Sequence, residues 1–144
     1  MTSRRETLTL TLLPAALLPA AMLPALPAAG AAVPNAVLDP GKATLRREPF
    51  GDLRIYFDGS TDQLRTLQAG SLRLKPGQSP HPPHQHPEEE ILLVTEGQGE
   101  ISLDGATTRA GPGAMMYCAA GRLHGIVNTG QTPLTFFFSK WIAR

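Results

Sequence analysis

Cysteine is nearly absent from this sequence: Cys118 is the single one in 144 residues. One thiol forms no internal disulfide, which excludes a cysteine-stapled mini-scaffold. Zinc knuckles and fingers fall with it, because each takes at least two cysteines. Any metal site must therefore use histidine, carboxylate and at most that one thiol. Basic runs are missing too. The 13 Lys+Arg stand against 12 Asp+Glu, a formal charge of +1, which leaves no electrostatic footprint for nucleic acid. Charged residues make up 17% and apolar ones 42%, a ratio that excludes a disordered chain. The length fits one domain.

Residues 1–31 differ from the rest. Arg4 and Arg5 are followed, between Glu6 and Asp39, by no charged residue at all, only a stretch rich in Leu, Ala, Thr and Pro. A basic end, an apolar stretch and a small-residue end form the layout of an export signal. Ala29-Gly30-Ala31 offers the small residues for cleavage near Ala31. Pro14, Pro19, Pro24 and Pro27 argue against a membrane-spanning helix, since each removes a backbone donor. Arg4-Arg5 also resembles a twin-arginine signal, although Thr7 replaces its usual bulky apolar residue. Without residues 1–31 the chain keeps 11 Lys+Arg and 11 Asp+Glu. It shows no amphipathic membrane-binding segment. The expectation is a periplasmic or secreted protein with no stable membrane association after cleavage.

The division that follows is a signal at 1–31, a Pro-, Gly- and Ala-rich linker or arm at 32–44, and a single domain at 45–144. That domain reads as closely spaced strands. Candidates lie at 53–57, followed by a turn at Asp58-Gly59-Ser60, and at 64–74, where Leu72 and Leu74 alternate with Ser71 and Arg73. The run 91–95 is nearly all apolar, which fits a strand buried on both faces. Residues 100–103 alternate and end in Asp104-Gly105, a strong hairpin signal. Further strands fall at 114–118, 124–128 and 134–141. No 3.6-periodic stretch is long enough for a core helix, so the fold class is all-β: a sandwich, jelly roll or barrel.

The four histidines lie in two places, His81, His84 and His86 together and His124 downstream. In an extended strand residues i and i+2 share a face about 7 Å apart, so His84 and His86 can converge on one ion. Glu90 has the same parity, and a bend at Pro87 could redirect it. Two imidazoles and a carboxylate at this spacing can occupy one face of an octahedral metal. The segment alone is equally readable as a solvated loop, because His81-Pro82-Pro83-His84 has polyproline character.

The wider pattern resembles the cupin superfamily. Its first motif is matched by Gly77, His84-Gln85-His86, Glu90 and Gly97, with the first spacer one residue longer than usual. Its second is matched by Gly113, Gly121, His124 and Asn128, with Ala119 in place of the usual Pro. The resemblance covers roughly residues 70–140 and implies a double-stranded β-helix, the jelly-roll cupin barrel. It further implies one divalent transition metal ion (Fe, Mn, Ni, Cu or Zn) held by His84, His86, Glu90 and His124. Four protein ligands leave two positions of an octahedral ion open.

In some cupins the equivalent glutamate can loosen and take a proton, so the resemblance makes Glu90 the candidate catalytic residue. Cupins include dioxygenases, isomerases, decarboxylases and lyases, and the fold does not select among them. Ile91 and Leu92 stand where some sulfur-compound lyases carry Tyr-Tyr, which lowers that option. The favoured reading is an exported metalloenzyme, an oxidoreductase of dioxygenase type or an isomerase, acting on a small organic acid, phenolic or sugar-like molecule. The alternatives are a non-catalytic metal- or ligand-binding module and, more weakly, a metal-free structural or carbohydrate-binding barrel. A homodimer is an open expectation, with residues 45–57 supplying a strand to cover a sheet edge. Elsewhere, His81 reads as a surface residue, Glu88 and Glu89 as a solvated pair, and Cys118 as a buried inert thiol. Tyr117, Phe136, Phe137, Phe138 and Trp141 read as packing.

Overall fold

The computed structural model describes residues 31–144; the export-signal expectation therefore lies, except for Ala31, outside the described residues. Nine strands follow one another: β1 Thr44–Glu48, β2 Gly51–Gly59, β3 Leu64–Leu74, β4 Glu89–Glu96, β5 Gly99–Leu103, β6 Ala106–Ala110, β7 Met115–Cys118, β8 His124–Val127 and β9 Leu134–Ala143. No helix occurs among the described residues. The strands form a six-stranded sheet in the order β1-β2-β3-β9-β4-β7 and a three-stranded sheet in the order β6-β5-β8. All pairings between these strands are antiparallel. The two sheets close on a shared core, the jelly-roll barrel expected from the sequence.

Alternation decides what enters that core. Leu72 and Leu74 on β3, Leu92 and Val94 on β4, Met116 and Cys118 on β7, and Leu134, Phe136 and Phe138 on β9 are buried, and Ile101 and Ile126 face them from the small sheet. Side chains one residue out of step point away, as a period of two requires.

This corrects the expectation of a doubly buried strand at 91–95. Ile91 is 36% exposed, and its outward neighbours Tyr117 and Phe137 are 54% and 44% exposed. The apolar run reflects an apolar outer face, which composition cannot distinguish from burial. Likewise, Asp58 and Gly59 belong to β2, paired with Gln68 and Leu67, and the chain reverses only after them. Strands β1 and β6 carry no signal of their own in the sequence. Nearly all of their residues are exposed, so there is little hydrophobic pattern to read.

The Asp104-Gly105 turn forms as expected, with φ of 50° and 85°, and joins β5 to β6 through Leu103 opposite Ala106. Those positive φ values at both central residues are what a tight hairpin requires. In the arm before β1, Ala32 bridges Ser60, and Val33 N donates to the Ser60 carbonyl at 2.8 Å.

Candidate metal centre

The segment 75–88 is not a strand. It crosses from β3 to β4 and is pinned to the second motif by backbone hydrogen bonds. His84 and His124 exchange reciprocal N–H···O bonds of 2.9 Å, and Gly121 N donates to the His86 carbonyl at 2.8 Å. Gly121 has φ 71°, a left-handed conformation that glycine adopts without steric cost. The turn before it needs no proline: Arg122 N donates to the Ala119 carbonyl at 3.2 Å. The longer first spacer is absorbed as well, since Gly77 N reaches the Asn128 carbonyl at 2.9 Å.

These bonds bring the three expected histidines together. One nitrogen from each of His84, His86 and His124 lies within 4.8 Å of the others. Glu90, on β4 and 9% exposed, adds its Oε2 at 3.0 Å from His86 Nε2 and 3.3 Å from His124 Nε2.

The tautomers follow from the far sides of the rings. His86 Nδ1 faces the Glu88 carbonyl at 3.1 Å and the Glu88 carboxylate at 3.2 Å. Both are acceptors, so Nδ1 carries the proton. His124 Nδ1 faces the Arg122 carbonyl at 3.0 Å and does the same. The His124 ring therefore turns a lone pair at Nε2 toward Glu90, whereas His86 Nε2 meets Glu90 Oε2 at 3.0 Å in hydrogen-bond geometry. The contact between His124 Nε2 and Glu90 lacks hydrogen-bond alignment, and both His124 Nε2 and His84 Nδ1 are buried without a hydrogen-bond partner. Two buried nitrogens without a partner beside a carboxylate are costly unless a cation sits among them, so the donor set fits a metal ion.

Burial lowers the His84 pKa from 6.5 to about 4, and repulsion from His81, His124 and His86 adds to it. The ring is therefore neutral at ordinary pH, the form that ligates metal.

The four side chains open into a cavity of about 260 Å³ whose other walls include Phe50, Leu53, Leu92, Met116, Phe136 and Phe138. A larger groove of about 640 Å³ runs outside the small sheet, along Glu100, Ser102 and Thr107, and carries none of the four. His81 is exposed, and its ring stacks edgewise on His84 with centroids 3.8 Å apart.

Other expected roles shift. Glu88 and Glu89 are not a solvated pair: Glu88 orients His86, and Glu89 accepts from Tyr117 Oη at 2.9 Å and Trp141 Nε1 at 3.0 Å. Tyr117 faces outward rather than into the core, and its bond to Glu89 raises the phenol pKa. Cys118 is buried as expected. Its Sγ lies 3.3 Å from His124 Nδ1, and burial foremost, with Glu90 and Asp104 nearby, holds its pKa up. Phe136 and Phe138 both pack the core and line the cavity, whereas Phe137 is outside.

Gln68 and Lys140 are polar lining residues that carried no motif signal. Strand parity could have found Lys140, since it shares a face with Phe136 and Phe138.

The sequence model of the cupin domain family matches residues 70–140. Several solved structures share the fold. An RmlC-like cupin from Shewanella frigidimarina is 17% identical over 78% of this chain and 95% of its own, with a TM-score of 0.63. A predicted oxalate decarboxylase from Thermotoga maritima is 23% identical over 74% and 99%, with a TM-score of 0.61. A polyketide cyclase from Streptomyces resistomycificus is 23% identical over 74% and 78%, with a TM-score of 0.59. No curated protein matches. Cupins commonly bind a metal, and the three histidines here could hold one. With its two motifs stapled together at the mouth of an antiparallel barrel, the chain belongs to the cupin superfamily.

Proposed function

We propose that this chain is an exported mononuclear-metal enzyme acting on a small organic molecule, by oxygenase- or isomerase-type chemistry. The observation that carries the reading is the inward-facing set of His84, His86, His124 and Glu90 at the base of a cavity with largely apolar walls. A divalent ion bound there would supply Lewis acidity and, if redox-active, activation of dioxygen.

The chain's own contribution is orientation and exclusion of water. The Glu88 and Arg122 carbonyls fix two rings, and Phe136 and Phe138 dry the wall. Glu90 is the group in reach of a substrate proton, which its Oε2 would take up and return. Neighbours described as a predicted oxalate decarboxylase and a polyketide cyclase support an enzyme. A cavity with no serine, tyrosine or free acid among its lining residues favours, as the second reading, a binding module without turnover.

Elemental analysis of the tag-free protein tests the reading. About one equivalent of Fe, Mn, Ni, Cu or Zn is expected, lost in His86→Ala. Absence of metal after each ion is added back would sink it. Glu90→Gln should keep most of the metal while losing turnover by about 100-fold or more; if metal and turnover vanish together, Glu90 is a ligand only. Export is tested by sequencing the mature N terminus, expected near residue 32. A chain that keeps residues 1–31 in the cytoplasm would refute it.

A further inference from the structure

We propose that Lys140 receives a carboxylate of the molecule held in this cavity, which makes small organic acids the ligand class; the inference rests on the metal-centre reading above. Lys140 lies on β9 in step with Phe136 and Phe138 and lines the same cavity as the three histidines. Its cross-strand neighbours are Glu90 on β4 and Gln68 on β3.

A lysine beside a glutamate would ordinarily pair with it. Here the Glu90 carboxylate turns instead to His86 and His124. Among the described residues Lys140 makes no ion pair within 4 Å. The next acid along the same row, Asp58, accepts the Gln68 amide at 3.0 Å. Among the described residues, Glu90 and Lys140 are the only carboxylate and ammonium lining the cavity.

The consequence is a charge imbalance. Three neutral imidazoles and one carboxylate do not neutralise a divalent ion, so Glu90 has no charge to spare for Lys140. A partly buried ammonium without a counter-ion is costly, and an anion from the ligand removes that cost. A carboxylate on the ammonium would leave the ligand's carbon skeleton against Phe50, Leu53, Phe136 and Phe138, the division of polar anchor and apolar wall that small-molecule sites use.

Calorimetric titration of the metal-loaded protein with benzoate and with its neutral isostere benzamide tests this. The wild type should bind benzoate at least about tenfold tighter than benzamide. Lys140→Met should weaken benzoate about tenfold or more, leave benzamide within about twofold, and keep metal content and melting temperature. Lys140→Arg should stay within about threefold of the wild type. No benzoate binding by the wild type at about 10 mM, an unchanged benzoate affinity in Lys140→Met, or an equal loss for benzamide would each overturn the proposal. Should Lys140→Met not fold, the wild-type preference and the Nζ-adjacent methylene shift of Lys140, expected to move with benzoate and not with benzamide, decide alone. A wild type that takes up no metal overturns the metal-centre reading instead, and the same titration of that protein still reads Lys140.

Discussion

His84 shows how much one side chain's behaviour depends on neighbours distant in sequence. Its pKa of about 4 arises from burial first and then from three other imidazoles, of which His124 lies forty residues downstream. In the unfolded chain the same ring titrates near its ordinary 6.5. Between those values the unfolded chain binds a proton that the folded one does not, so stability falls as pH falls. The contribution is fully present above 6.5 and is lost progressively toward 4. The urea midpoint of the metal-free protein should therefore drop between about pH 7 and pH 4.5, and drop less in His84→Gln. Equal drops would refute the assignment. The identity of the ring was legible from motif spacing; its neutrality was not, because spacing says nothing about burial. The same holds for Glu88, whose role follows from a bend that places both its oxygen types against His86 Nδ1.

At the scale of elements, the motif positions act as staples more than as strands. Asn128 is fully buried at the end of β8. Its side-chain amide donates to the Leu74 carbonyl at 3.1 Å and to the Thr132 carbonyl at 2.9 Å, and its carbonyl oxygen accepts from Gly130 N at 2.9 Å. It thus ties β3, β8 and the loop before β9 into one corner. Asn128→Ala would leave buried carbonyls unsatisfied and should cost about 3 kcal/mol in a denaturant titration. A loss under about 1 kcal/mol would mean that water or a neighbour replaces those bonds. Strands with a buried face, such as β3 and β9, were legible because apolar residues alternate along them. β1 and β6 were not, having almost nothing buried, and β4 misled because Ile91 and Leu93 face outward against Tyr117, Met115 and Phe137.

At the scale of the whole molecule, the candidate ligands come from three separate places. His84 and His86 sit on the crossing segment, Glu90 is the second residue of β4 in the six-stranded sheet, and His124 begins β8 in the three-stranded one. The motif spacing singled out these four residues, but not that they bridge the two sheets, since sheet membership depends on pairings such as Glu90 with Cys118 and Leu103 with His124. An ion held by all four would clamp the barrel mouth from both sides. Because the unfolded chain cannot assemble the set, the binding free energy adds to folding stability. With free metal at about a thousand times its Kd the gain is about 4 kcal/mol. For a domain of this size that raises Tm by about 10–20 °C. Thermal unfolding with and without chelator should show that shift in the wild type and almost none in His86→Ala. Equal shifts in both would place the bound metal somewhere other than between the sheets.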